Sequence, residues 1–341
     1  MKNTFFALAV SGILLLLLET GSFIYLWSVD DQKKFLVNIE SSPQVFIDYF
    51  AFDQFDPLLG WSMSYDNVKA LGFELYHNAV LLNGKENSCD RPLVIYISGG
   101  SATDMTFDRD NWPKYLHELL DENQYCSKIY VGAVAGYNSG QELLKIIRDR
   151  HKIEPDIHLS YSGANEPTNA GYTTEYEHLF YTSNVESQAP IFLPNTIYLL
   201  RNLLFPSEFN VKAFEQVDPI VFWEDNMKNM QALSIQHKYF YIGLLQPVYG
   251  FGSENSSGEI PENIMNKHLK DYQSFYPAAM DIADKYGYLY DLTAAFSHLS
   301  EEVIFKDDCH LMNSSYQKII AKEVYQLILP KLEKYKTEAK E

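Results

Sequence analysis

Ser101 stands where the apolar run "PLVIYISGG" breaks into "SATD". A serine hydroxyl is a poor nucleophile unless a base takes its proton during attack. The chain offers such a base far downstream, in "FKDDCHLM": His310, with Asp307 three residues before it. Histidine suits the task because its ordinary pKa lies near neutrality. A carboxylate at that spacing in a loop can turn back and hold the imidazole; Asp308, two residues before the histidine, is the second choice. Attack on a carbonyl also creates an oxyanion, which needs two or three fixed donors. The backbone N–H groups of Ser101 and Gly136 and the side-chain amide of Asn165 are the candidates. Gly136 has no side chain, so its backbone can approach a substrate closely. The chemistry that these residue types support together is acyl transfer through a covalent serine intermediate.

Taken singly, each stretch has a plainer reading. "GGS" after a strand is often only a turn. "AGYNSG" reads as a loop before a helix, and "SGANEP" as a helix cap. "DDCH" alone is a solvated acidic loop or half of a metal site. The conjunction, in order and with every role filled, carries the catalytic reading. No metal or other cofactor is expected. The 9 histidines form no H-E-x-x-H, no Cys-x-x-Cys pair is present, and "GGSATD" lacks the lysine and spacing of a phosphate-binding loop.

Positioning such residues needs a scaffold that brings distant loops together. "LVIYISGG", "KIYVGAVAG", "DIHLSYSG", "KYFYIGLLQP" and "GYLYDLT" read as buried strands. Between and after them, "NWPKYLHELLDEN", "SGQELLKIIRDRHK" and "SSYQKIIAKEVYQLILPKLEKY" read as amphipathic helices. The first turns Trp112, Tyr115, Leu116, Leu119 and Leu120 inward, and the second Leu143, Leu144, Ile146 and Ile147. The alternation predicts a mostly parallel sheet with helices on both faces. Right-handed crossovers then place the loops after the strands on one edge. The first helix, "NWPKYLHELLDEN", starts after Ser101, so its positive N-terminal end is expected to favour negative charge there. Upstream, "DPLLGWSMSYDNVKALGFELYHNAVLLNGKE" predicts a small β-rich lead-in. Residues 167–236, rich in aromatics, are expected to form a cap-like insert beside the site.

These blocks, "GGSATD", "AGYNSGQE", "GANE" and "DDCH", resemble those of the SGNH hydrolases, or GDSL-type lipases and esterases, over about residues 91–330. The resemblance implies a three-layer α/β/α sandwich, flavodoxin-like, on a mostly parallel five-stranded sheet. It implies Ser101 as nucleophile, His310 as general base and Asp307 as its partner. It implies Ser101, Gly136 and Asn165 as the oxyanion hole. Two departures stand out: Gly100 replaces the aspartate of the first block, and Glu166 that of the third, neither at a catalytic position.

The rest of the chain bounds where this chemistry takes place. Lys plus Arg number 27 and Asp plus Glu 45, a net charge of −18, which disfavours nucleic acid as a partner. Residues 5–27 are almost wholly apolar and long enough to span a bilayer, with residues 1–4 as a cytoplasmic tip. They are expected to be an uncleaved transmembrane anchor rather than a signal peptide. Glu19, awkward in mid-span, would lie near the headgroups or meet a membrane partner. Residues 28–90 form connector and lead-in, and 331–341 a charged tail. The catalytic domain would then lie in the periplasm or outside the cell, where a Cys89–Cys126 disulfide is allowed and Cys309 is left over.

The expected function is a membrane-anchored extracytoplasmic serine esterase. Its substrate would be O-acyl groups, acetyl first among them, on a cell-envelope or exported polysaccharide. The glycan part rests on the resemblance, since anchored members with an "NWPKYL" helix look like those associated with bacterial surface glycans. The alternatives are an O-acyltransferase on the same glycan and a non-catalytic binding or assembly subunit.

Overall fold

The computed structural model describes residues 15, 17, 18, 20, 21, 53–56, 58–83, 91–169, 218–253, 262–299 and 302–338. The chain divides into two units, Met1–Ala51 with Thr174–Gln216 and Phe52–Thr173 with Val217–Glu341. In the first, Leu15, Leu17, Leu18, Thr20 and Gly21 are helical. Apart from these five, the expected span 5–27 with Glu19 lies outside the described residues. Among the described residues no helix is long and apolar enough to cross a membrane.

The second unit opens with the hairpin β1 (Asp53–Asp56) and β2 (Gly60–Met63), then α1 (Tyr65–Ala70). β3 (Glu74–Tyr76) and β4 (Ala79–Asn83) follow, joined through His77 and Asn78, both at positive φ. Two left-handed residues form the tight turn whose twist suits a hairpin. The alternating core begins at β5 (Leu93–Gly99) and continues through α2 (Trp112–Glu122), β6 (Ser127–Val131), α3 (Ser139–Ile153) and β7 (Ile157–Ser162). A short α4 (Glu166–Asn169) precedes α5 (Pro219–His237), β8 (Phe240–Leu245), β9 (Val248–Tyr249) and β10 (Gly252–Ser253). α6 (Glu262–Lys285), β11 (Leu289–Asp291) and α7 (Ser314–Glu338) complete the fold.

The main sheet has seven strands in the order β11-β8-β7-β5-β6-β4-β3. The five expected strands run parallel, and β4 and β3 join them antiparallel beyond β6. The expectation of five strands is thus corrected to seven. The lead-in does not merely pack on the domain. Its hairpin covers the N–H and C=O groups that β6 would otherwise show at a sheet edge.

Starting from β5, the parallel strands wind first to β6 and then back across to β7, β8 and β11. Right-handed crossovers therefore put α2 on one face and α3, α5 and α6 on the other. α7 returns to the first face and packs on α2. The winding reverses between β5 and β7, and such a switch point leaves a crevice at the strand ends. Ser101 follows β5 and Asn165 follows β7, so both stand at this crevice.

α2 starts where Asn111 accepts the N–H of Trp112 and Pro113 fixes the first turn. Its Trp112, Leu116 and Leu120 are fully buried. Each such side chain contributes about 1.5–3 kcal/mol of burial free energy. α2 lies within the stretch expected to be the first helix after Ser101. Between the two, residues 101–107 form turns, because the N–H groups of Thr103 and Asp104 both close back on the carbonyl of Gly100.

α3 departs from expectation in its orientation. Ile146 is buried, but Leu144 and Ile147 are exposed. The buried face carries Gln141, Glu142, Lys145, Asp149 and Ile153. These polar groups face inward because each is answered: Ser98 and Ser160 on the strands donate to Glu142, the Tyr96 hydroxyl on β5 donates to Asp149, and Lys145 meets Asp149 within the helix. The expected insert 167–236 lies outside the described residues over 170–217. From Asp218 onward it is α5, a crossover helix packed on α3 and β8. Cys126 is disulfide-bonded and Cys309 is free; Cys89 lies outside the described residues.

Candidate active site

The loop between β11 and α7 that carries the histidine is pinched at its base. Phe305 and Leu311 form an isolated antiparallel bridge, and the N–H of Lys306 bonds the carbonyl of His310. Asp307 divides its carboxylate. Oδ1 accepts the N–H groups of Cys309 (3.0 Å) and His310 (2.7 Å), and Oδ2 lies 2.8 Å from His310 Nδ1. The other ring nitrogen, Nε2, lies 2.7 Å from Ser101 Oγ. The structure therefore brings the predicted serine, histidine and Asp307 into one chain of hydrogen bonds. Burial works to raise the Asp307 carboxyl. The hydrogen bond and charge of His310, with the two N–H groups, outweigh it and hold the carboxyl below its ordinary value.

Asp308 faces the other way. Its carboxylate takes the hydroxyl of Tyr272 (2.6 Å) and pairs with His268 Nδ1 (2.8 Å), both on α6. Its carbonyl accepts the N–H of Tyr249 at 2.8 Å. Asp308 anchors the loop and Asp307 addresses the imidazole. The Phe107 ring covers His310, with ring centroids 4.7 Å apart.

Gly136 follows β6 with φ of +78°, a conformation open to glycine and costly for most other residues. Its loop is held at alternate residues by three side chains. Asp104 Oδ2 accepts from the N–H of Ala135 at 3.0 Å, Asn165 Nδ2 donates to the carbonyl of Tyr137 at 2.8 Å, and Glu166 Oε1 accepts from the N–H of Ser139 at 2.7 Å. A Cβ built on Gly100 would come 2.5 Å from Asn165 Nδ2. This close approach places the Asn165 amide against the residue before the serine. It also gives the departure at Gly100 a reason, since a side chain there would displace the amide.

Asp104 and Glu166 are the functional residues that sequence reasoning missed. Asp104 is fully buried; its other oxygen takes the N–H and hydroxyl of Thr106, both at 2.7 Å. Glu166, also buried, ties the N–H of Gly163 to the start of α3. Burial raises both carboxyls, against the pull of these hydrogen bonds. The signal for Asp104 was present as an acid in a strand-to-helix turn with a hydroxyl residue two places on. At the third block, Glu166 keeps the carboxylate and spends it on bracing.

A second polar cluster lies under the same strands. Ser98 Oγ, on β5, donates to Glu142 Oε2 at 2.7 Å and lies 3.0 Å from His158 Nε2. Glu142 Oε1 and His158 Nδ1 are buried with no partner. Burial pushes the Glu142 carboxyl up to about 8 and the His158 ring down to about 3. Both groups are thus held neutral near pH 7. From an ordinary value of 4.5, a carboxyl raised in the fold stabilises at low pH, and this contribution is lost as pH climbs to about 8. The His158 contribution, from a ring lowered to about 3, grows with pH up to its ordinary 6.5 and is constant above that. Between pH 6.5 and 8 the Glu142 contribution should therefore fall by up to about 1.4 kcal/mol per pH unit. Denaturant unfolding across this window should show that decline in the wild type and its absence in Glu142→Gln. Equal slopes in the two proteins would contradict the assignment.

Among the described residues, Asp307, Cys309 and His310 come together as three side chains able to hold a metal ion. The cleft over the serine is lined by Ser101, Phe107, Asp108, Tyr161, Lys306 and His310, among others, and spans about 280 Å³ with its open mouth. What this arrangement can do chemically is activate one hydroxyl against an electrophile.

No family model matches the chain, and no curated protein does. Solved structures similar to it include an acetyl xylan esterase, at 11% identity over 69% of this chain and 99% of that one, with a TM-score of 0.40. A psychrotrophic esterase from Pseudoalteromonas sp. shares 17% identity over 71% and 99%, with a TM-score of 0.38. A catalytic mutant of an acetylxylan esterase from Geobacillus stearothermophilus shares 14% over 72% and 96%, with a TM-score of 0.41.

Proposed function

We propose that the chain is a serine ester hydrolase of the SGNH type. Its substrate is O-acyl groups, acetyl first among them, on a cell-envelope or exported polysaccharide. The observation that carries the reading is the relay from Ser101 Oγ through His310 to Asp307, with separations of 2.7 and 2.8 Å. In the first step His310 Nε2 takes the Ser101 proton as Oγ attacks the acyl carbonyl. The imidazolium that forms is stabilised by Asp307. Ser101 N–H, Gly136 N–H and the Asn165 amide receive the oxyanion. His310 then returns the proton to the leaving sugar oxygen. Water, deprotonated by the same nitrogen, releases the acid and restores Ser101.

Anchoring by residues 5–27 and a position outside the cytoplasm rest on the apolar sequence, and the disulfide at Cys126 suits such a compartment.

Acetate release from O-acetylated oligosaccharides, measured with and without a deacetylated acceptor, tests the function. The reading expects free acetate to dominate in both. Acetyl transfer to the acceptor with little hydrolysis would favour the acyltransferase, and neither product would end the enzymatic reading. Asn165→Ala should lower kcat on the order of 10²-fold. A rate unchanged from wild type would remove Asn165 from the oxyanion site.

A further inference from the structure

The relay histidine has a third neighbour. Cys309 Sγ lies 3.7 Å from His310 Nδ1, the nitrogen that Asp307 Oδ2 meets at 2.8 Å. One ligand atom from each of the three residues falls within 4.8 Å of the others. Zinc holds thiolate sulfur at about 2.3 Å and imidazole nitrogen or carboxylate oxygen at about 2.0–2.2 Å. Around a tetrahedral ion, such atoms stand about 3.2–3.7 Å apart. The sulfur–nitrogen pair already has this separation; the carboxylate, 2.8 Å from the nitrogen and within 4.8 Å of the sulfur, must pivot away from the ring to join them. Thiolate with imidazole and carboxylate is a donor set for a borderline ion such as zinc rather than for magnesium or calcium. The neighbouring Asp308 carboxylate adds negative charge to the same loop.

We propose that the Asp307–Cys309–His310 loop is an inhibitory zinc site built onto the relay itself. Zinc takes the Cys309 sulfur, His310 Nδ1 and an Asp307 oxygen, and a water completes the tetrahedron. The thiol proton leaves to solvent as the Zn–S bond forms. The proton on Nδ1 gives way to the metal, and the still neutral ring carries its proton on Nε2. That nitrogen then points an N–H at Ser101 and cannot accept the hydroxyl proton. The inhibition rests on the hydrolase reading; the binding does not.

Zinc binding is measured first on Ser101→Ala protein, which keeps all three ligands and needs no turnover, by competition with a fluorescent zinc chelator. One zinc per chain is expected, with binding at least about tenfold weaker once Cys309→Ala is added. Thermal melts confirm that each variant is folded. In zinc-buffered assays, the active protein should lose its rate as free zinc rises and recover it on chelation. For Cys309→Ala, compared with its own zinc-free rate, the midpoint should move upward by a similar factor. Equal zinc affinity with and without Cys309, no binding, or binding without loss of rate would each overturn the proposal. If the wild-type protein has no ester hydrolysis to lose, the hydrolase reading and the inhibition fall together. The titration of the Ser101→Ala protein still decides the site.

Discussion

Ser101→Ala is expected to lower kcat for a small acyl ester by about 10⁶-fold, to a residue left by binding and the oxyanion donors. His310→Ala should cost about as much. The double variant should cost no more than either alone, because nucleophile and base act as one unit. The geometry gives the reason. Ser101 Oγ has His310 Nε2 at 2.7 Å, and the ring is held on its far side by Asp307 and against its face by Phe107. Without the base the hydroxyl keeps its proton; without the hydroxyl the base has nothing to activate. Steady-state hydrolysis of an activated acetyl ester, with melts to confirm folding, measures all three variants. Losses that add in the double variant would mean that the two residues act separately.

Asp307→Asn carries the next largest effect, about 10⁴-fold in kcat. Its origin is the division of the carboxylate between two tasks. The N–H groups of Cys309 and His310 both point at Oδ1. An asparagine must therefore keep its oxygen there and turn its NH₂ toward His310 Nδ1. A donor at that position demands the ring tautomer with the proton on Nε2, the wrong one for taking a proton from Ser101. Asp308→Asn perturbs only the contacts with His268 and Tyr272, and should change kcat by less than about tenfold, since a loop anchor acts through position alone. The kcat of the two variants, measured side by side, separates the roles. Similar losses in both, or the larger loss in Asp308→Asn, would contradict the assignment of Asp307.

The site was more legible in the sequence than its support was. Ser101, His310 and Asp307 are named by chemistry: a relay of this kind accepts few residue types, and their loops follow strands whose apolar runs are unmistakable. The five parallel strands were legible for the same reason. The hairpin β3–β4 was not seen as part of the sheet, because strands of three and five residues carry little periodicity. α3 misled for a physical reason. A helix is expected to bury its apolar stripe, but here the inward face holds Glu142, Lys145 and Asp149, which besides the Lys145–Asp149 pair within the helix find partners on the strands and in the lead-in turn. Nothing local in the sequence marks those long-range pairs. The bracing roles of Asp104 and Glu166 were hidden likewise: an acid in a turn is ordinarily solvated, and only the fold shows that each ends on a backbone N–H of the Gly136 loop. The turns between Ser101 and α2, in which the Gly100 carbonyl takes two N–H groups at once, are a closure that composition does not reveal.

The proposed role of Ser101 as an activated nucleophile is tested most directly with a fluorophosphonate probe. Intact mass followed by peptide mapping reads the result. The account predicts one adduct per chain, on the peptide containing Ser101, with none in Ser101→Ala and strongly slowed labelling in His310→Ala. Folded wild-type protein that stays unlabelled, or Ser101→Ala protein labelled as fast as wild type, would contradict it.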